Sequence, residues 1–569
     1  LAVVMKIMAV VRRSHTFNFF EVMENKFYFL AFILLCSARA YADTQLERLA
    51  KEQQKNDNNT ALENRIDKKD VFSKVEDKNV IDFKLPSEKD CYPIVELILE
   101  NEFLDNKMIR NIKDEISNSC LGTKGIEYVA TYLQDYYIKA GYVTTRVNIP
   151  VQNLKGKKLQ LTISTGRINK VIIAKDDIRS WILPFTSGDI LNLRDIEQGL
   201  ENLQKVPGVD VKINIVPGNR DGDSDIVINT NRNKLWNIRT TYNNWGDRST
   251  GKILTGISGY LYNSARLGDL FYLAGTSSTT GGYKSISTFY SIPVGFWDYE
   301  VFYSSSMSRQ RVGLSYWDLN YQGKNQYFSL KGTRTLFRNT DKKITGSVEI
   351  LRRRVAYQLG GVDLALQERD MGNLRLGLNF KQNLQDATLD SSLSWQRFMT
   401  WLGGEKTPDM VSGDVSSTSQ VFNLNTNYVK WFNAEPLLYY YELNMGAQFS
   451  QSSLTLQDQF TIGSRWNVRG YETSTGLDGN KGFYIQNTFH FPIGDYNSEL
   501  YFGADYGQIA GEIYPQNALD GKRIIGSIIG VKGTIKSLGY DISLSAPLIS
   551  PAGLVEDQFI SNFNITYQL

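Results

Sequence analysis

The sequence predicts a membrane β fold: a transmembrane β-barrel of about 16 strands, preceded by two small α+β domains and an N-terminal helix. Three observations point there. Beyond about Leu235 the helical period disappears, and apolar residues alternate with polar ones along strand-length segments. Gly (46), Tyr (32) and Trp (9) are plentiful, yet no apolar run is long enough for a membrane helix. Finally, the roughly 335 residues after Lys234, at about 10 per strand plus turns and loops, make about 16 strands. Such a sheet must close, because an open edge in hydrocarbon leaves backbone groups unpaired.

The 569 residues exceed one small domain, and 63 Lys and Arg against 60 Asp and Glu give a net charge of only +3. That balance argues against a nucleic-acid partner. Residues 1–42 read as upstream residues and a signal peptide. Met23 opens the signal, Lys26 precedes the apolar run Phe27 to Leu35, and Ala40-Tyr41-Ala42 ends it with a small-x-small pattern. Cleavage after Ala42 is expected, with residues 1–22 excluded from the fold. Leu35 before Cys36 is too large for lipoprotein processing. Removal of the signal leaves Cys91 and Cys120, which in an oxidising compartment read as one disulfide, worth roughly 3 kcal/mol or somewhat more. Two thiols with no nearby histidine are too few for a metal site.

Residues 43–57 read as a short polar helix with a narrow Leu46, Leu49 and Ala50 stripe, and 58–85 as a linker. The first compact domain, 86–165, is expected as β-α-α-β-β: strand Tyr92 to Leu99, helices Asp105 to Ser117 and Gly125 to Ala140, strands Tyr142 to Pro150 and Lys158 to Ile163. The second, 166–233, carries a helix with Ile196, Leu200 and Leu203 at i, i+4 and i+7, stopped by Pro207-Gly208, then strands Val209 to Val216 and Asp225 to Thr230.

In the barrel, 234–569, Ile344, Gly346, Val348 and Ile350 alternate with Thr345, Ser347 and Glu349. Tyr441, Leu443, Met445, Ala447 and Phe449 alternate with polar partners in the same way. Pro293 suits a short turn, Gly403 to Ser419 an outer loop, and Phe563, Ile565, Tyr567 and Leu569 a closing strand. Between Ser498 and Gly507, Leu500, Phe502, Ala504 and Tyr506 share the lipid face, while Tyr501, Gly503, Asp505 and Gly507 face the lumen. Upstream, about 456–482, lies a loop containing Val468-Arg469-Gly470-Tyr471.

That loop, followed by a Gly-x-Asp-x-Gly strand, resembles the two-partner secretion transporters of the barrel-assembly superfamily, the exporters of haemolysins, haemagglutinins and contact-dependent growth-inhibition toxins. Gly141-Tyr142-Val143-Thr144-Thr145-Arg146, with Pro150 and Gln152, resembles their first polypeptide-transport-associated (POTRA) domain, and the unit around Arg194 resembles the second. The resemblance implies that the loop enters the lumen and its Arg469 meets Asp505 on the wall. It also implies that the 43–57 helix plugs the barrel. Tyr142, Thr144, Thr145, Arg146 and Arg194 become candidates for partner recognition. The implied protein is a monomer in the outer membrane of a Gram-negative bacterium, in contact with outer-membrane lipid, with its POTRA domains in the periplasm. Its partner is a large secreted exoprotein, bound through that partner's N-terminal secretion domain. No cofactor, metal, nucleotide or nucleic acid is expected, and no enzymatic activity. The alternatives are a barrel-assembly insertase, an outer-membrane hydrolase and a passive porin.

Three stretches imitate other chemistry. Gly246 to Lys252 resembles a phosphate loop, but Ile253 replaces the required Ser/Thr and no helix follows. Asp221 to Asp225 lacks the glycine and twelfth-position acid of a calcium loop. His490, the only histidine after the signal, has no nucleophile elbow and reads as a lumen-facing polar residue.

Overall fold

A computed structural model describes residues 51–52, 55, 58–59 and 83–569, apart from 105–106, 176–177, 221, 315–316, 401–402, 435–436, 473–475, 495–496, 512–521 and 555–556. The expected signal peptide, most of the 43–57 helix and most of the linker lie outside these residues. Residues 51, 52, 55, 58 and 59 are helical.

The first domain has β1 (Tyr92–Ile94), β2 (Glu96–Glu100), α1 (Lys107–Ile116), β3 (Ser119–Leu121), α2 (Thr123–Lys139), β4 (Arg146–Asn148) and β5 (Lys158–Ser164). Ile109, Ile112 and Ile116 of α1, and Val129, Leu133 and Tyr137 of α2, recur at helical spacing and are buried against Leu97, Leu159 and Leu161 of the sheet. Each buried aliphatic chain stabilises by about 1.5–3 kcal/mol. β2 pairs parallel with β5, and β5 antiparallel with β4. The expected single strand from Tyr92 to Leu99 is broken at Val95, whose N–H turns to the Lys157 carbonyl. β1 instead pairs with β3, which the sequence reading did not anticipate. Cys91 and Cys120 are disulfide-bonded beside that small ladder, with Cα atoms 5.3 Å apart.

Gly141, at φ +103°, ends α2 in the left-handed region, and its N–H caps the Ile138 carbonyl. At the other end of α2 the Glu88 carboxylate accepts hydrogen bonds from the N–H groups of Gly122, Lys124 and Gly125.

The second domain repeats the plan with β6 (Ile168–Ile173), α3 (Leu193–Gln204), β7 (Val209–Pro217) and β8 (Ser224–Arg232), in sheet order β6-β8-β7. β6 was not anticipated, and α3 coincides with the expected helix. Asn192 caps α3 by accepting from the Arg194 N–H at 2.8 Å. Ile196 and Leu203 face the domain core, while Glu197, Gln198, Glu201 and Asn202 are also buried, on the opposite side.

That polar side meets the barrel, a closed ring of 16 spanning antiparallel strands from Trp236–Asn243 to Ile560–Gln568. Asn202 donates to the Gly295 carbonyl at 2.7 Å, Lys205 pairs with Asp298, and Arg338 and Lys343 both pair with Glu201. The α3 domain is therefore fastened to the turns near residues 295 and 340, which mark the proximal end. Pro293 sits at this end, and the 403–419 segment at the distal end. The ring closes where Arg239 to Asn243 pairs with Asn564 to Gln568. Alternation along the strands divides lipid from lumen as expected: Phe502 is 44% exposed on the outside, whereas Tyr501 and Asp505 are 6% and 1% exposed on the inside.

Candidate functional site

The distal connection between strands Leu437–Phe449 and Lys481–Ile493 folds back into the barrel. Its descending and returning arms form a short ladder, Phe460–Ile462 against Leu477–Gly479. Between them the chain makes a turn organised by one side chain. The Asn467 amide oxygen accepts from the N–H groups of Gly463, Ser464 and Val468, and its amide nitrogen donates to the Thr461 carbonyl. Val468 and Ile462 then pack against Ile509 and Ile524 of the wall, a small dry patch inside a polar lumen.

This packing brings Arg469 to Asp505. Nε donates to Oδ2 at 2.7 Å and Nη2 to Oδ1 at 2.6 Å, the two-pronged geometry that guanidinium and carboxylate share. The Arg469 backbone N–H adds a third bond to Oδ2 at 2.9 Å, and Nη2 also reaches Thr488 Oγ1 at 2.9 Å. Arg469 is 8% exposed. The pair carries no net charge, and its lone pairs and protons are largely consumed, so it positions the loop rather than offering a reactive group.

Glycines make the close approach possible. Gly470, at φ +100°, lies so near the Ala546 carbonyl that a Cβ would overlap it, and a Cβ on Gly526 would overlap the Arg469 carbonyl oxygen. On the wall, a Cβ at Gly507 would stand 2.7 Å from the Val468 side chain, and one at Gly503 2.6 Å from Arg469 Nη2. Tyr471 completes the motif by donating to the Ile525 carbonyl at 3.0 Å or the Ile549 carbonyl at 2.7 Å, where a register shift interrupts the ladder. Gly526, Asn467 and these carbonyl partners were missed by sequence reasoning. Their only signal was glycine on a lumen-facing strand position.

Two further contacts hold the loop. Glu472 pairs with Arg248 and Lys252 of the first distal connection, and Arg248 pairs with Asp557 of the last. From the N-terminal helix, Lys51 Nζ donates to the Gln459 carbonyl at 3.2 Å, Thr461 Oγ1 at 2.9 Å and Asp478 Oδ1 at 3.2 Å. Asn58 accepts from Ser304 on the opposite wall. The described turns of this helix therefore lie in the lumen against the loop. Between helix and wall remains a cavity of about 550 Å³, lined by Lys51, Lys55, Glu349, Arg353 and Arg375 among others.

The decoys resolve into structure. His490 is buried with Nδ1 3.0 Å from Glu499 and Nε2 3.3 Å from Glu442, stacked on Tyr440, with no serine or cysteine among these contacts. The 246–252 stretch is a connection between two barrel strands, and Asp225 receives the Asn169 amide at 2.7 Å.

Of the candidate recognition residues, Tyr142 packs on Phe103 in the first domain's core, and Thr145 is fully buried. Thr144 is wedged against Gly166 where the two domains meet. Arg194 is 5% exposed, salt-bridged to Glu197 at 2.6 Å and within 3.4 Å of Thr340 at the barrel turn. Burial thus gives these four structural surroundings. Arg146 alone of the five is exposed, at the start of edge strand β4.

The family model for haemolysin secretion/activation protein ShlB/FhaC/HecB matches residues 222–533, and POTRA models match 93–166 (ShlB-type) and 167–217. Outer membrane transporter CdiB-2 of Burkholderia pseudomallei is 29% identical over 465 residues, covering 79% of each chain. Hemolysin transporter protein ShlB of Serratia marcescens is 26% identical over 435 residues, 75% of this chain and 77% of that one. Among solved structures, CdiB from Acinetobacter baumannii superposes with a TM-score of 0.80 at 24% identity, over 92% of this chain and 99% of that one.

Proposed function

The chain belongs to the haemolysin secretion/activation family of ShlB, FhaC and HecB, outer-membrane transporters that export exoproteins, and we propose that its own cargo is one large adhesin, haemolysin or contact-dependent growth-inhibition toxin. The cargo leaves the periplasm unfolded and passes through the barrel. The observation that carries this reading is the pinned lumen loop: Arg469 is forked onto Asp505, and Lys51 of the helix is fastened to the same loop. Together they occupy the passage at rest, so a chain in transit displaces them.

Recognition of the cargo's N-terminal secretion domain falls to the periplasmic domains. Each three-stranded sheet ends in edge strands, β2 and β4 in the first and β6 and β7 in the second; the start of β6 is covered by backbone bonds between Ile168 and the 188–189 segment, and the remaining edges suit strand addition by an extended partner. Arg146 on β4 supplies an exposed cation at such an edge. On this reading the protein is a monomeric transporter and not an enzyme, as its transporter family implies.

The test is co-expression with the large exoprotein encoded beside this gene, assaying the medium with and without the transporter. Export that depends on the chain supports the reading. Cargo retained in the periplasm beside an inserted barrel overturns it.

A further inference from the structure

Two neighbouring barrel strands, Trp297–Leu314 and Trp317–Arg338, are much longer than the 9–11 residues a bilayer crossing needs. Their outward faces show where the crossing lies. At the proximal end Trp297 stacks on Tyr299 at 5.8 Å, and Arg334 lies 5.5 Å from the Trp297 ring, the aromatic and cationic belt of a membrane interface. From there Val301, Met307, Phe328 and Leu330 point outward and are exposed. About ten residues from the belt, the outward positions change character. Met307 is followed on its face by Arg309 and Arg311, and Phe328 is preceded on its face by Gln326 and then Lys324.

The register makes these three cations one patch. Met307 is opposite Lys324 and Arg309 opposite Gln322, so Arg309 and Lys324 are diagonal neighbours, about 7 Å apart at the backbone, and Arg311 is the next outward residue. All three are exposed. Among the described residues none of the three has a salt bridge: Arg309 donates to the Gln322 amide oxygen at 3.4 Å, the Gln322 amide nitrogen donates to the Met307 sulfur at 3.3 Å, and an exposed acid, Asp318, stands diagonal to Arg311 on the same face without bonding it. The next strand shows the contrast. Its outward Arg352 and Arg354 are neutralised by Asp370 and Glu368, at 2.8 and 3.2 Å.

We propose that Arg309, Arg311 and Lys324 form a docking site for a phosphorylated glycolipid of the outer leaflet. Phosphate groups meet the cations, and the acyl chains lie along the apolar band below. The occupant follows from charge and height together: three cations against the single neighbouring acid Asp318 leave a net positive patch at headgroup depth, continuous with a lipid-facing surface, which fits an anionic headgroup attached to hydrocarbon. The inference rests on the outer-membrane placement and is independent of which exoprotein is exported.

The test uses the full chain in detergent micelles and measures the apparent affinity for lipid A, for dephosphorylated lipid A and for phosphatidylglycerol. Lipid A is expected to bind at least tenfold more tightly than its dephosphorylated form, and the R309Q/R311Q/K324Q variant to lose that preference while keeping its heat-modifiable mobility as a folded barrel. Absence of the preference in the wild-type protein, or its survival in the variant, overturns the site. Equal binding of phosphatidylglycerol overturns the assigned glycolipid class. Export measured on the same variant separates the two readings: lost lipid preference with intact secretion upholds the site and leaves the transporter function untouched.

Discussion

Replacing Arg469 by alanine deletes the two side-chain bonds to Asp505 and those to Thr488 and Asn487, leaving the carboxylate to backbone N–H groups. Asp505, 1% exposed, then holds a nearly unpaired buried charge. Breaking a buried pair at one partner costs about 3–5 kcal/mol, and water from the lumen can enter the space left by the guanidinium, which favours the lower end. About 3 kcal/mol is roughly a hundredfold shift from docked to undocked loop. Asp505→Ala should cost a similar amount by stranding Arg469. The double variant removes both charges and should lose only about 2 kcal/mol, well short of the summed single losses. The assays are conductance of the purified barrel in planar bilayers, which rises as the loop leaves, and secretion of the co-expressed exoprotein. Both single variants should insert as folded barrels, conduct more and export poorly. Strictly additive effects on conductance, or wild-type export by both single variants, would refute the role given to this pair.

Three further outcomes are expected. Gly526→Ala places a Cβ on the Arg469 carbonyl oxygen, an overlap between backbones that no rotamer relieves, so the loop should shift at a cost of about 1–3 kcal/mol and conductance should rise. Reducing the Cys91–Cys120 bridge, which closes a 29-residue separation, should destabilise the first domain by about 3.5 kcal/mol, read as faster hydrogen exchange in α1 and α2 with the barrel unchanged. In the periplasmic second domain, burial and the neighbouring Asp189 charge raise the Asp195 carboxyl to about 6 from an ordinary 3.8. The folded domain thus holds this proton more tightly than the unfolded chain. The resulting stability is fully present below pH 3.8 and lost as pH rises through about 6. Asp195→Asn should therefore slow exchange in α3 at pH 7.5, by about 1 kcal/mol after allowance for partial exposure, and flatten its dependence on pH.

Much of this architecture was legible because period-two alternation records which face is wet, and barrel strands must alternate wherever they cross lipid. The Arg469 and Asp505 assignment was legible for another reason. Alternation placed Asp505 on the lumen face, but an arginine between a valine and a glycine is unremarkable by itself, and its pairing with Asp505 came from the resemblance of the loop and the Gly-x-Asp-x-Gly strand to the transporter family. The short pieces were hidden. β3 spans three residues and β1 is cut off from β2 by a single peptide at Val95, so neither has the length to display a period. β6 has few residues and lies between a domain boundary and a loop. The burial of Arg194 was equally invisible, because it arises where the second domain meets the first domain and the barrel. Lys51 could not be matched to Thr461 and Asp478 by pattern, since the contact joins segments more than 400 residues apart.

Helix α3 is gripped on two sides. Its first N–H bonds to the Gly141 carbonyl of the neighbouring domain at 2.8 Å, while its buried acids hold Arg338 and Lys343 on the barrel. Mechanically it is a crank, joining the first domain to the barrel through one rigid element. The load arrives as torque on the hairpin near residue 340, whose two strands are among the longest in the wall and span the bilayer to the cell surface.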